Sequence, residues 1–582
     1  MGIWDHGAGV IGQRHVSARA VTQRWSISSP TEMSNRYGSQ GVFRLPIVFL
    51  FICMTLSSAP SLVAQDVLTY HNDNARTGQD LHETILTPSN VNPSTFGKLF
   101  VIPTDGKVDA QPLYKAGVSI PGKGLRNVLY VATEHDSVYA FDADTGQELW
   151  HVSMLKPGEM PSDDRGCTQV TPEIGVTATP VIDPVSGPHG TIYIVAMSKR
   201  PSGEYFQRLH ALDMTTGAEE FGGPVDIHAK FPGTGDNSRD GMVIFDPKQY
   251  KERPALLLLN HAVITSWSSH CDDRPYTGWV MAYDQQSLRQ ISVLNFAPHG
   301  NETAFWSSGA GPAVDPSGAF YLLAGNGTFD TKLTASGFPI YGDYGNAFLK
   351  LSFSQNKLKV ADYFNMKNTV AESDKDVDLG SGGALVLPDM TDAQGHVMHL
   401  AVGAGKDTNI YLVNRDHMGK FHPQRDDIYQ EINHGLSGRE FGMPAYFNGK
   451  IYYGAIGDVL RAFQFSNARL QPSPVSVTAH KFVYPGVTPS VSANGSENGI
   501  VWVVESRDSA VLYAYDANDL TRMLYNSSMA AASRDRFGAG NKFITPTIAN
   551  GKVYVGAIKG VGVFGLLPLP KHPVRGFFGI GW

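Results

Sequence analysis

The sequence predicts an all-β protein, an eight-bladed β-propeller, from three observations: a composition that turns often, apolar residues that alternate in short runs, and a unit that recurs eight times. Hydrophobic residues make up 42% of the chain, which excludes disorder, and 17% charge with 61 glycines excludes a coiled coil. Glycine and proline together are about one residue in six, the share expected of a chain that reverses direction repeatedly. A formal net charge of -7 without a long basic run argues against nucleic acid as a partner.

Taken in chain order, residues 1–64 form a leader. The apolar run LPIVFLFICMTL, residues 45–56, follows Arg36 and Arg44 and precedes SSAPSLVAQ, the layout of a signal peptide cleaved near Ala64. The run is short of the roughly 20 residues a bilayer span needs, so no membrane span is expected, and the protein is expected to be secreted or periplasmic. The stretch before Met33 is long for such a leader, and Met33 is expected to be the true start. Cys53 lies inside the signal, without a lipid-anchor junction after it, leaving Cys167 and Cys271 in the mature chain. Two cysteines in an exported protein most often form one disulfide. Neither has zinc-site spacing, and no CxxCH haem motif is present.

Residues 65–567 are expected to form the propeller. The clearest repeat is LYVATEHDSVYAFDADTGQELW, residues 129–150, with two alternating strands and a turn at Asp142–Gly146. Weaker copies start at Ile192, Leu256, Phe320, Leu400, Ile451, Val501 and Val553. Pro112, Pro180, Pro312, Pro444, Pro489 and Pro546 announce first strands, where a missing N–H facing a channel costs little. The spacing averages about 65 residues, above the roughly 40–50 of common propeller repeats, with the surplus in a few long loops. A unit that cannot bury both faces alone predicts a closed ring of eight, monomeric because it is self-contained. The last unit is one strand short, so a strand from residues 67–106 is expected to complete it. Residues 568–582 form a Pro- and aromatic-rich tail to which no role is assigned.

The turn Asp142–Gly146 followed by Trp150, and the opening YHNDNARTGQ, resemble the quinoprotein propellers. These are the pyrroloquinoline quinone (PQQ)-dependent alcohol dehydrogenases and their relatives, which include non-catalytic assembly scaffolds. The whole chain is most similar to secreted bacterial PQQ-repeat propellers of unassigned activity. The resemblance implies PQQ over a tryptophan floor, a Ca²⁺ or lanthanide ion on oxygen ligands, and an aspartate that takes the alcohol proton. By order along the chain it places Trp306 at the floor, Asn326 and Asp273 (or its neighbour Asp272) as cation ligands, and Asp376 as the base. It places Asp378 at the extra aspartate of lanthanide enzymes and Lys406 against the quinone oxygens.

Each of these residues has a plainer role open to it. Trp306 can pack between blades, Asn326 can make a Gly-Asn-Gly turn, and Asp273 and Lys406 can be solvated. Asp376 and Asp378, two residues apart on an extended segment, point the same way and demand a cation or a proton, which a structural Ca²⁺ site would also satisfy. The chain departs from the family at RGCTQVTPEIG, where one cysteine stands for two adjacent ones and the expected arginine is missing. A Cys167–Cys271 bridge across the channel mouth is predicted instead.

Two functions follow as expectations. One is a PQQ- and cation-dependent dehydrogenase of alcohols or sugars with a separate electron acceptor. The other is a non-catalytic propeller binding a protein or glycan through its funnel. A lipoprotein-type scaffold is disfavoured by the missing anchor cysteine, and no GxSxG, HExxH or GxxxxGK[ST] motif offers another chemistry.

Overall fold

In the computed structural model of the chain, residues 65–568 are described, and the alternating runs become strands. The expected signal peptide and start at Met33, Cys53, and the tail beyond Pro568 lie outside the described residues. Eight sheets, each built on a four-stranded antiparallel meander, succeed one another along the chain. Their first strands begin at Leu113, Val181, Leu257, Ala313, Leu385, Ala445, Ser490 and Thr547. Helix is confined, among the described residues, to the turn Thr369–Ser373 and three short 3₁₀ segments. The surplus length sits in loops such as the three-stranded insertion spanning Lys230–Ile244.

The eighth sheet is completed from the far end of the chain. Phe96–Pro103 pairs antiparallel with Gly560–Leu566, from Phe96 against Leu566 to Pro103 against Gly560. The N-terminal strand thereby covers what would be an open sheet edge. Because every sheet is apolar on both faces, a core forms at each junction. Tyr193 and Trp279 join the second and third sheets, Phe296 and Phe320 the third and fourth, and Phe348 and Tyr411 the fourth and fifth. Leu412 and Phe463 join the next pair, Tyr452 and Val503 the next, and Trp502 and Phe564 the seventh and eighth. One continuous cluster, with Tyr554, Tyr114 and Ile192, then runs from the eighth sheet through the first into the second. The ring is closed, and each fully buried aromatic side chain contributes roughly 1.5–3 kcal/mol to it.

The repeat motif has a packing reason. Asp142 Oδ1 accepts the N–H groups of Asp144 and Thr145 at 3.0 and 2.9 Å, and Asp213 Oδ1 does the same for Thr215 and Thr216 at 2.8 and 3.0 Å. The turns close on Gly146 and Gly217 in the left-handed region, at φ +74° and +73°. An aromatic residue from the outermost strand of the preceding sheet lies over each: a Cβ on Gly146 would meet Phe100 at 2.8 Å, and one on Gly217 would meet Trp150 at 2.8 Å. Glycine is required there by backbone conformation and by this docking.

The segment Val67–Gly78 crosses the channel and touches all eight sheets. Val67 exchanges backbone bonds with Tyr114, and the carbonyls of Leu68, Asn74, Ala75, Thr77 and Gly78 accept from Ile182, Val314, Val386, Tyr446 and Val491. The Tyr70 hydroxyl pairs with Thr545 Oγ1 at 3.1 Å just before the eighth first strand. Arg76, fully buried, ties the plug together. Its Nη1 donates to Thr69 Oγ1 at 2.6 Å and the Tyr70 carbonyl at 2.8 Å, its Nε to the Pro312 carbonyl at 3.0 Å, and its Nη2 to the Leu256 carbonyl at 3.4 Å. Burial pulls its pKa down to about 10, which leaves it charged at neutral pH. His71 Nε2 meets the Pro489 carbonyl at 2.8 Å. All six announced prolines directly precede first strands, and those at 312 and 489 offer the plug their carbonyls.

Replacing Arg76 with Ala orphans four buried acceptors and opens the channel. Chemical denaturation of R76A is expected to show a loss of about 3 kcal/mol; a loss below about 1 kcal/mol would mean the plug is ornamental.

Candidate functional site

The loops that lead into the first strands, together with the turns between second and third strands, meet at one end of the ring above the plug. They enclose a cavity of about 220 Å³. Trp306, Phe441, Tyr484 and Phe543 supply its aromatic wall, and Arg253, Asp272, Asp376, Lys406 and Arg439 its charges. Gln169, Ser308 and Ser381 complete the lining. Plug residues Asn74, Ala75 and Thr77 line a separate open hollow further along the same first strands.

The acidic pair lies on the loop into the fifth sheet. Asp378 is fully buried, and Lys406, from the turn between that sheet's second and third strands, places Nζ 2.7 Å from its Oδ1 and also pairs with Asp376. Asn326 Nδ2 donates to Asp376 Oδ1 at 2.8 Å, leaving Asn326 Oδ1 buried and, among the described residues, without a partner. Arg439 stands 3.8 Å from Asp376 Oδ2. Burial raises the Asp378 pKa although Lys406 opposes it. Burial alone would lower that of Lys406, but Asp378 and Asp376 outweigh it and hold the ammonium charged. The loops can abut because two glycines leave room: a Cβ on Gly380 would strike Gly325 N at 2.3 Å, and one on Gly325 would strike Trp306 at 2.8 Å. Asp376 itself holds a left-handed φ of +54°, a strained backbone of the kind that gathers at functional sites.

Of the residues expected from sequence, Trp306, Asp376 and Lys406 line the cavity, with Asn326 and Asp378 directly behind. Trp306 also packs against the core between the second and third sheets, so its two roles coexist. Asp273 is not brought to the site. It is exposed, while Asp272 lines the cavity and accepts the Tyr276 hydroxyl. The cause is local: Cys271 and Asp272 both adopt left-handed φ values, +54° and +61°, which turn the chain one residue earlier than an extended alignment assumes. Among the described residues, no three of Asp, Glu, His or Cys gather closely enough to hold a metal by themselves.

Cys167 and Cys271 form a disulfide, with Cα atoms 5.7 Å apart across a separation of 104 residues. It joins the loop bearing Gln169 to the turn bearing Asp272, and so fixes two parts of the cavity wall. The buried Lys251 Nζ lies 3.6 Å from Cys167 Sγ, its pKa lowered to about 7 by burial and then by Arg253. Phe441, Tyr484, Phe543, Arg439 and Arg253 were not foreseen. The available signal was positional, since Phe441 and Phe543 each stand three residues before a strand-opening proline.

Two measurements follow. Thiol titration of the unfolded, unreduced 582-residue chain should find one thiol, that of Cys53, and three after reduction; three before reduction would remove the bridge. Next to Arg439, buried Glu440 accepts Gly442 N–H at 2.7 Å, and burial pushes its pKa from 4.5 up to about 8. The folded state therefore holds a proton that the unfolded state releases, so this group's contribution to stability falls as pH rises from 4.5 to about 8. Unfolding of E440Q should gain on wild type across that window, and a pH-independent difference would refute the assignment.

No protein-family model and no characterised protein sequence matches the chain. Solved structures do. The quinohemoprotein alcohol dehydrogenase of Comamonas testosteroni superposes with a TM-score of 0.55 at 14% identity, over 87% of this chain and 82% of that one. A quinohemoprotein alcohol dehydrogenase of Pseudomonas putida HK5 gives 0.55 at 13% identity, over 86% and 80%. A europium-containing methanol dehydrogenase gives 0.53 at 13% identity, over 86% and 98%. The described chain therefore has the β-propeller fold shared by these quinoprotein dehydrogenases.

Proposed function

We propose that the protein is an exported quinoprotein-like oxidoreductase, secreted or periplasmic, that takes an alcohol or sugar into the cavity and passes electrons to a separate acceptor. The observation that carries this is the Asn326–Asp376–Asp378–Lys406 group, with Asp378 fully buried and Asp376 open to an aromatic-walled cavity at one end of this fold. The neighbours' identity as quinohemoprotein and europium-containing dehydrogenases supports it.

The residues fit the implied groups in part. Trp306 offers a flat cofactor an aromatic face, and Asn326 Oδ1, Asp376 and Asp378 are the oxygen donors a hard cation prefers. The carboxylate expected from Asp273 is not among them, and a cation between the two aspartates requires the Lys406 ammonium to move aside. When bound, PQQ with Ca²⁺ or a lanthanide supplies two-electron oxidation of a hydroxyl-bearing carbon. The chain's part is the proton. Asn326 holds Asp376 Oδ1, which leaves Oδ2 to accept the substrate hydroxyl proton once Lys406 has moved aside. Arg439 faces that oxygen and stabilises its charge beforehand.

A second proposal, a non-catalytic propeller that binds a protein or glycan through the same funnel, is favoured by one observation: Lys406 already occupies the space between the two aspartates and pairs with both.

Titration with PQQ plus Ca²⁺ or La³⁺, followed by absorbance and tryptophan quenching, separates the two. Dehydrogenase function predicts saturable binding that W306A loses, and dye-linked alcohol oxidation that falls at least about 100-fold in D376N. No saturable binding with either cation would leave the non-catalytic function standing.

A further inference from the structure

The bridge between Cys167 and Cys271 is set among buried basic groups. Lys251 is fully buried, and among the described residues the one polar contact of its Nζ is Cys167 Sγ at 3.6 Å, a weak acceptor. The charges that face it supply no counter-ion. Arg253, Arg165 and Lys107 are cationic, and burial together with the neighbouring Asp109 keeps Glu134 protonated. His270, next to Cys271 in the chain, is only 3% exposed, and among the described residues neither ring nitrogen has a hydrogen-bond partner. Of the carboxylates on its far side, Asp163 is held by Lys199 and Tyr205, and Asp164 by Thr171.

The two sulfurs differ in access. Cys167 is 2% exposed, whereas Cys271 is part-exposed and opens a turn whose next residues, 272–275, are all exposed. Thiol–disulfide exchange depends on which sulfur is reached and on how well the other one leaves. Access directs attack to Cys271. Departure of Cys167 as a thiolate then creates the anion that Lys251 lacks. Burial alone would oppose a thiolate, but an ammonium in contact reverses that, as cationic neighbours do for reactive cysteines. The same contact relieves the ammonium, so one bond broken removes two costs.

We propose that this bridge is a thiol-exchange site and a reversible latch on the cavity wall, at which an external dithiol attacks Cys271 and Cys167 leaves as a thiolate held by Lys251. In the first step a thiolate of the dithiol bonds to Cys271 Sγ, the S–S bond breaks, and its electron pair leaves on Cys167 Sγ. The second sulfur of the dithiol then gives up its proton, closes the dithiol's own disulfide and releases Cys271, which takes up a proton. The bridge gains two electrons, and the dithiol is oxidised by two. Opening frees the loop bearing Gln169 from the turn bearing Asp272. The step needs neither a quinone nor a substrate, so it stands apart from dehydrogenase function.

Dithiothreitol is added to the folded, intact chain, thiols are trapped by alkylation at intervals, and peptide mass mapping reads Cys167 and Cys271 apart from Cys53. The wild-type bridge should open without denaturant, at least about fivefold faster than in K251M, with K251R recovering part of the rate. A variant that merely loosened the fold would open faster, so slower opening reports the lost cation. Wild type alone tests the direction: limiting 2-mercaptoethanol, quenched early by alkylation, should leave its adduct on Cys271 and the alkyl label on Cys167. Amide hydrogen exchange around residues 169 and 272 should rise once the bridge is open. The proposal is overturned if the wild-type bridge opens only in denaturant, if the adduct sits on Cys167, or if folded K251M is slowed less than about fivefold. Exchange unchanged at both loops would overturn the latch.

Discussion

A single buried guanidinium holds the centre of this molecule. A ring of eight sheets needs something in its axis, because the first strands turn carbonyls and N–H groups toward a channel that strand pairing cannot fully satisfy. Arg76 answers with a fork of donors, four of whose acceptors come from two sheets and from its own loop. The backbone around it then satisfies the remaining sheets one by one. The channel is thereby closed below the cavity, and the cavity end of the ring is a cup rather than a pore.

That cup is divided by charge. On one side, the carboxylates of Asp376 and Asp378 face Lys406, with Arg439 near Asp376. On the other, Arg253 and Lys542 stand over the Phe543 and Tyr484 rings, with Asp109 lining the same smaller cavity. Separation of this kind orients a ligand with unlike ends more than it tightens binding overall. The disulfide adds rigidity where the two halves of the wall meet, joining loops that no strand pairing connects.

Much of the architecture was legible in the sequence because repetition averages out local error. The period, the strand-opening prolines and the missing strand of the last unit each report on a constraint imposed eight times or on a free edge. The site was legible only where residue order matched chemistry, as at Trp306, Asn326, Asp376, Asp378 and Lys406. It failed at Asp273, where two consecutive left-handed residues shift the turn, since non-glycine residues give no warning of such a conformation. Arg253 and the aromatic wall were hidden for another reason. They come from four separate loops, and their meeting at one cavity cannot be read along a line.

The pairing of Phe96–Pro103 with Gly560–Leu566 has a consequence for how the chain comes to its fold. The early strand Phe96–Pro103 can reach its partner only when nearly the last residues are available, and the plug likewise needs the seventh and eighth sheets before its contacts exist. Successive meanders can form from neighbours, but closure joins positions more than 450 residues apart, with the large loop entropy that implies. The plug and the strand that follows it are thus the keystone, set only after the arch has been built around them.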